Sequence, residues 1–313
     1  MVARCYNRDR YSMLRRSLLL FALASLPLAA QSAGRILVVT ADGADWMVGA
    51  GGTLAQYVLD GYAVTVAQFG NDEKESAGLN QPETRWANVQ EAKAAAEYLG
   101  VEDWVLLDFK SGELGYVSST EMRKQLFGLI RYLRPAKIFI PDPYVHYHPD
   151  WDVWFVGNMA EEAWGYSGGS TFGPELRRIG LPPYSVPEVY YYSVGRPYQP
   201  REGGEAPAKM VSSDIGFHME AKLRALAMLR ARNQEMARTT RLRLERAGRP
   251  VEALPAFDET AIQSLVKAWG RELAATIGAK HGFEYGEEFN YVGGRDEIPP
   301  HALERAVKKG GDR

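Results

Sequence analysis

Residues 35–55 read Arg35-Ile36-Leu37-Val38-Val39-Thr40-Ala41-Asp42-Gly43-Ala44-Asp45-Trp46-Met47-Val48-Gly49-Ala50-Gly51-Gly52-Thr53-Leu54-Ala55. The first seven form an apolar run that stops at turn-forming residues. Such a run marks a strand buried on both faces, as in a parallel sheet, because a strand with one wet face would alternate. Gly49 to Gly52 reads as a glycine-rich turn, and residues 53–59 as a helix ending at Gly61. Strand, polar loop and helix in that order are the opening unit of an α/β fold.

The same alternation continues outward. Apolar strands are expected at 63–69, 104–109 and 138–141, with helices at 83–99, closed by Gly100, and at 120–133, halted before Pro135. The fourth strand runs into Asp142-Pro143-Tyr144-Val145-His146-Tyr147-His148-Pro149-Asp150. This spacing predicts a Rossmann-like, doubly wound, mostly parallel α/β sheet with right-handed crossovers. Ligands of such sheets sit beyond the carboxyl ends of the strands. Loops 41–52 and 142–151 both leave strand carboxyl ends, so they are expected to converge on one site. After Gly168 the chain is richer in Gly and Pro. An aromatic strand is expected at 189–194, around Tyr190-Tyr191-Tyr192, and one long helix from Asp214 to about Arg246. The stretch 196–207 reads as a surface loop rather than a linker, which makes residues 34–300 a single domain with C-terminal helical and irregular additions and 301–313 a tail.

Composition sets the outer bounds. The 313 residues are 46% hydrophobic and 24% charged, which excludes disorder, collagen and coiled coil and provides for a full core. The single Cys5 excludes a disulfide framework and any cysteine-based zinc or iron–sulfur site. All five histidines, His146, His148, His218, His281 and His301, lie after residue 145. Residues 1–33 carry Arg4, Arg8, Arg10, Arg15 and Arg16, then an apolar run from Leu18 to Ala30 and small residues at Ala29, Ala30, Ser32 and Ala33. That run is shorter than the about 20 residues of a spanning helix, so the segment reads as a secretory signal, with Arg15-Arg16 a twin-arginine hint. Without residues 1–32 the 37 basic and 39 acidic residues fall to 32 and 38, a formal charge of −6. A mildly acidic, exported protein with no nucleic-acid partner and no membrane span is expected. Nine basic residues against Glu235 and Glu245 across 222–249 read as a solvated helix face.

The loop 41–55 resembles the opening of the PIG-L/LmbE-like de-N-acetylases, the family of N-acetylglucosaminyl-phosphatidylinositol de-N-acetylase. In that family the first strand ends in Ala-His-Pro-Asp-Asp and continues to Gly-Gly-Thr-Leu-Ala. Asn71-Asp72-Glu73 stands at the family's Thr-Asp/Asn-Gly turn, and Arg85, Glu91-Ala92 and Leu99-Gly100-Val101 match its Arg-helix-Leu-Gly segment. Asp142-Pro143 through His148-Pro149-Asp150 resembles its His-Pro-Asp-His motif. Asp214-Ile215, Lys222 and Tyr285-Gly286-Glu287-Glu288-Phe289 resemble its C-terminal blocks. The resemblance implies a zinc held by His, Asp and His that activates water and polarises an acetamide, a carboxylate that takes the water proton, and a histidine that stabilises the oxyanion.

Position by position, the family's first zinc histidine is Asp42 here, its proline Gly43, its general-base aspartate Ala44, and its metal-binding aspartate Asp45. His148, Pro149 and Asp150 match the second motif, but its final zinc histidine is Trp151, whose indole nitrogen has no lone pair to donate. The resemblance therefore places His148 and Asp150 in catalytic positions, Asp42 and Asp45 in metal positions with His146 as a substitute third ligand, and Trp46, Asp72, Arg85 and Trp151 at the substrate. Three arrangements stay open. Asp42 and Asp45 cap a turn with no metal bound; with His148 or His146 and Asp150 they hold a weakly bound Mg²⁺, Ca²⁺ or Mn²⁺; or the family's Zn²⁺ chemistry persists. Trp46 and Trp151 either stack on a sugar or fill core space, and Arg85 is either a site residue or a helix-start ion pair. The expectation is an exported family member with degenerate catalytic machinery that binds a carbohydrate or glycoconjugate. The alternatives are an active metal-dependent de-N-acetylase with a rewired site, and an interaction subunit.

Overall fold

The computed structural model describes residues 33–74, 76, 78–145, 150–195, 210–249 and 258–292. Strand β1 (Gly34–Thr40) is buried from Ile36 onward, as its unbroken apolar run requires. It pairs in parallel with β2 (Tyr62–Gly70) on one side and β4 (Lys137–Pro141) on the other. Strand β3 (Asp103–Phe109) extends the sheet beyond β2, and β5 (Glu188–Tyr192) beyond β4, both parallel. Two antiparallel strands complete the far edge, β7 (Gly286–Val292) beside β5 and β6 (Met210–Asp214) outermost, giving the order β3-β2-β1-β4-β5-β7-β6. The predicted α/β, mostly parallel sheet is thus present. The chain changes its direction of growth between β1 and β4, and that switch point is where such sheets place ligands.

Helices α1 (Asp45–Leu59), α2 (Gln81–Tyr98) and α3 (Ser119–Leu133) connect the first four strands. Helix α4 (Trp151–Ser167) and the short α5 (Pro174–Arg178) lead to β5, and α6 (Met219–Met228), α7 (Arg230–Arg246) and α8 (Glu259–His281) lie between β6 and β7. Alternate residues of β1 enter different cores. Ile36 and Val38 pack with Trp46, Leu54, Ala92 and Val266 on one face, while Leu37 and Val39 pack with Leu126, Ile130 and Val156 on the other. Among the described residues no helix is long and apolar enough to cross a membrane.

Two expectations are corrected. The glycine-rich stretch 49–52 is not a turn but the middle of α1, which starts at Asp45. The glycines serve close packing there: a Cβ on Gly52 would lie 2.8 Å from carbons of Ile215. The single long helix from Asp214 to Arg246 is instead the end of β6, a short 3-10 turn at Gly216–His218, and two helices broken at Leu229 (φ −80, ψ 61). No Gly or Pro marks this break; tertiary partners hold it. Asn233 Nδ2 donates to the Leu226 carbonyl at 2.8 Å, and Ala231 N–H at the start of α7 donates to Glu91 Oε2 at 2.9 Å.

Candidate functional site

The site begins where β1 ends. Thr40 Oγ1 donates to the Asp42 carbonyl at 2.8 Å, and Asp42 Oδ1 accepts from the N–H groups of Ala44 at 2.7 Å and Asp45 at 3.0 Å, which caps the start of α1. Gly43 N–H donates to Asp72 Oδ2 at 2.9 Å, and Gln68 Nε2 donates to the same oxygen at 2.9 Å. Asp72, in the left-handed region at φ 53, is itself held by Ser111 Oγ, which accepts from its N–H, and by Asn88 Nδ2, which donates to its carbonyl. A side chain at position 43 would not fit, since its Cβ would lie 2.5 Å from that of Ala92. The loop therefore presents the Asp42 and Asp45 carboxylates in one fixed arrangement.

Opposite them stands Arg232, in the first turn of α7. Its Nη2 lies 3.0 Å from Asp42 Oδ2 and 3.6 Å from Asp45 Oδ1. Burial alone would raise the Asp42 carboxyl, but the Arg232 guanidinium and the N–H groups of Ala44 and Asp45 outweigh it and hold the group below its ordinary range. Asp150 caps α4 by accepting from Asp152 N–H at 2.9 Å. Asp152 accepts from the N–H groups of Gly112 and Leu114, yet burial and the neighbouring Asp150 charge push its carboxyl upward. These groups share a cleft of about 560 Å³ at the carboxyl edge of the sheet. One wall carries Asp42, Asp45, Asp150 and Asp152; α7 and α8 supply Arg232, Thr240, Arg243 and Trp269. Loops 41–52 and 142–151 thus converge, as their positions after β1 and β4 predict.

Several expected site residues stand elsewhere. Trp46 is fully buried, its ring centroid 6.4 Å from that of Trp104, so it fills core and offers no face to a sugar. Arg85 is half exposed and donates from Nε and Nη2 to Asp108 Oδ1 at 2.9 and 2.7 Å, the helix-start ion pair rather than a cleft residue. Trp151 is 61% exposed and packs on Trp154 at 4.8 Å, and it does not line the cleft. Asp72 reaches the cleft, but its Oδ2 is engaged with the Gly43 loop, so it positions that loop rather than awaiting a ligand. His146 and His148 lie outside the described residues.

Sequence reasoning did not single out Arg232, Arg243 or Trp269, because the region reads as a solvated basic helix. Of its basic residues, Lys222 is buried and paired with Glu287 at 2.7 Å, Arg232 faces the acids, and Arg238 and Arg241 pair along the helix surface. Glu287 also accepts from Gly52 N–H, Thr53 N–H and Thr53 Oγ1, and Lys222 Nζ donates to the Val48 carbonyl. The C-terminal motif residues thus clamp α1 from behind.

Residues 37–163, from β1 into α4, match the family model for GlcNAc-PI de-N-acetylase. Over that segment the chain is similar to the PIG-L family. It is 29% identical over 197 residues to diacetylchitobiose deacetylase of Thermococcus kodakarensis, covering 61% of this chain and 67% of that protein. It is 27% identical over 244 residues to 4-oxalmesaconate hydratase of Pseudomonas putida, covering 75% and 86%. In structure it resembles N,N'-diacetylchitobiose deacetylase of Pyrococcus horikoshii, with a TM-score of 0.64, 23% identity, and 96% of this chain and 100% of that one covered. The shared fold extends beyond the PIG-L match to the C-terminal helices and strands.

PIG-L deacetylases imply zinc, and the donor set here is a poor match for it. Asp42 Oδ1 is taken by two backbone N–H groups, its Oδ2 faces a guanidinium that also neighbours Asp45, and the third ligand position holds an indole. Among the described residues no group of three or more His, Cys, Asp or Glu is disposed to hold a metal ion.

Proposed function

We propose that this PIG-L family protein binds an N-acetyl sugar, free or within a glycoconjugate, in the cleft at the sheet's switch point, without the family's zinc-dependent hydrolysis. The Arg232 guanidinium 3.0 Å from Asp42 carries this reading, because a cation already stands between the two aspartates of the metal position. Arg232 is 23% exposed at its side chain and lines the cleft, so it can donate to a carbonyl or hydroxyl oxygen of the ligand. Trp269, 37% exposed on the opposite wall, offers an aromatic face to a sugar ring. Asp150 and Asp152 give the cleft a negative wall, and Ala44 leaves no carboxylate at the general-base position, a loss typically on the order of 10²–10⁴ in rate.

A second reading, an active metal-dependent de-N-acetylase using Asp42, Asp45 and His148, with His146 as the substitute ligand and Asp150 beside them, is favoured by the likeness to diacetylchitobiose deacetylase over 197 residues. Zn²⁺ or a weakly bound divalent ion would supply the Lewis acid there. Calorimetric titration with N-acetylglucosamine and N,N'-diacetylchitobiose, run beside an acetate-release assay with and without added divalent ions, separates the two. Saturable binding without acetate release supports the first reading. Acetate release abolished by Asp45→Ala sinks it and establishes the second. Export through residues 1–33 belongs to the same proposal, and amino-terminal sequencing of the protein recovered from the cell envelope or medium tests it.

A further inference from the structure

We infer that Arg232 is the resident cation of this site: its guanidinium takes the charge-balancing place of a divalent ion, and its removal opens that place to one. Three features build the arrangement. The two carboxylates are held in place by backbone, since Asp42 Oδ1 accepts from two N–H groups and the adjacent Gly43 is pinned by Asp72. The arginine is delivered by a break in the helix pair at Leu229, where continuous helix would have given residue 232 a different direction. The break is itself held by Glu91, which accepts from Ala231 N–H, and by Asn233, which donates across it to Leu226. A guanidinium stays charged throughout the accessible pH range and presents a planar fork of donors suited to carboxylates. It therefore neutralises one of the two negative charges permanently and repels an incoming metal ion.

The inference deepens the reading proposed above but does not depend on the ligand being a sugar, so the two fail separately. A failed sugar titration removes the ligand assignment and leaves Arg232 as the resident cation. The test compares the purified full chain with Arg232→Gln and Arg232→Lys after equilibration with Zn²⁺ or Mn²⁺ and desalting. Bound metal is measured by mass spectrometry and melting temperature with and without chelator, and circular dichroism confirms that each variant is folded. The wild type is expected to retain less than about a tenth of an equivalent and to melt unchanged in chelator. Arg232→Gln is expected to bind Zn²⁺ or Mn²⁺ at least about tenfold more tightly and to melt higher with the ion present, as any ligand of the folded state requires. Arg232→Lys, which keeps a cation, should behave like the wild type. A wild type that carries close to one equivalent of zinc and melts lower in chelator overturns the inference without reference to any variant. So does a folded Arg232→Gln that gains no ion, or an Arg232→Lys that gains as much as Arg232→Gln.

Discussion

Asp42 shows how one substitution rewrites the chemistry of a loop. A histidine at this position would offer one ring nitrogen to a metal; an aspartate offers two oxygens, and here one caps α1 while the other meets Arg232. The consequence for pH follows from the sign of the shift. The folded Asp42 binds its proton more weakly than the unfolded chain, so its contribution is complete above the ordinary value of 3.8 and is lost as pH falls through the lower folded value. Asp42→Asn should cost about 1–3 kcal/mol at neutral pH, because it leaves Arg232 facing a neutral amide, and the deficit should shrink as the medium is acidified below about pH 4. Urea unfolding across that range measures it; a deficit that does not change with pH would show that the carboxylate charge is not what matters. Gly52 makes a second case. Gly→Ala in a helix interior ordinarily gains up to about 1 kcal/mol, but a Cβ 2.8 Å from Ile215 should reverse the sign and cost about 1–3 kcal/mol. A raised melting temperature for Gly52→Ala would contradict the packing described.

Between helices and strands, the decisive joint is the one between α1 and β7. The Glu287 carboxylate, almost wholly buried, accepts from two backbone N–H groups, a hydroxyl and Lys222, whose own Nζ also reaches the Val48 carbonyl. Breaking such a pair by removing one member strands the other charge. Glu287→Ala is therefore expected to cost about 3–5 kcal/mol, and Lys222→Met with Glu287→Met together distinctly less than the two single changes summed. Chemical denaturation of the three variants decides the matter, and strict additivity would mean that the two residues act independently. At the other joint, Glu91 caps α7, so Glu91→Ala should lower stability by about 0.5–2 kcal/mol and also weaken ligand binding, since Arg232 loses its placement. Calorimetry on the variant reads both effects.

For the molecule as a whole, the sheet places its first-half motifs on one wall of the cleft and leaves the C-terminal helices to supply the other. Ligand recognition should follow that division. Trp269→Ala, which removes an aromatic face from the cleft wall, should weaken N-acetyl-sugar binding about tenfold, whereas Trp151→Ala should leave it nearly unchanged despite standing in the second motif. Calorimetric titration of both variants would expose the opposite ranking if the motif tryptophan were the true contact.

How much of this was readable from residues alone depends on the range over which each feature is encoded. The apolar run of β1, the alternation of strands with helices, and the convergence of loops 41–52 and 142–151 are local patterns set by burial period and strand polarity, so the parallel sheet and the place of the cleft follow from them. The substitution of Ala44 and Trp151 in the motifs was equally plain. The glycines of α1 misled because the same residues that form a turn also permit a close helix contact, and only Ile215, far along the chain, distinguishes the two. Arg232 was hidden among basic neighbours of the same composition. Its partner Asp42 lies 190 residues away, and a helix break without Gly or Pro turns it inward. Local sequence carries the period of burial; the pairing of one buried charge with another is a property of where distant segments meet, and folding alone brings these two together.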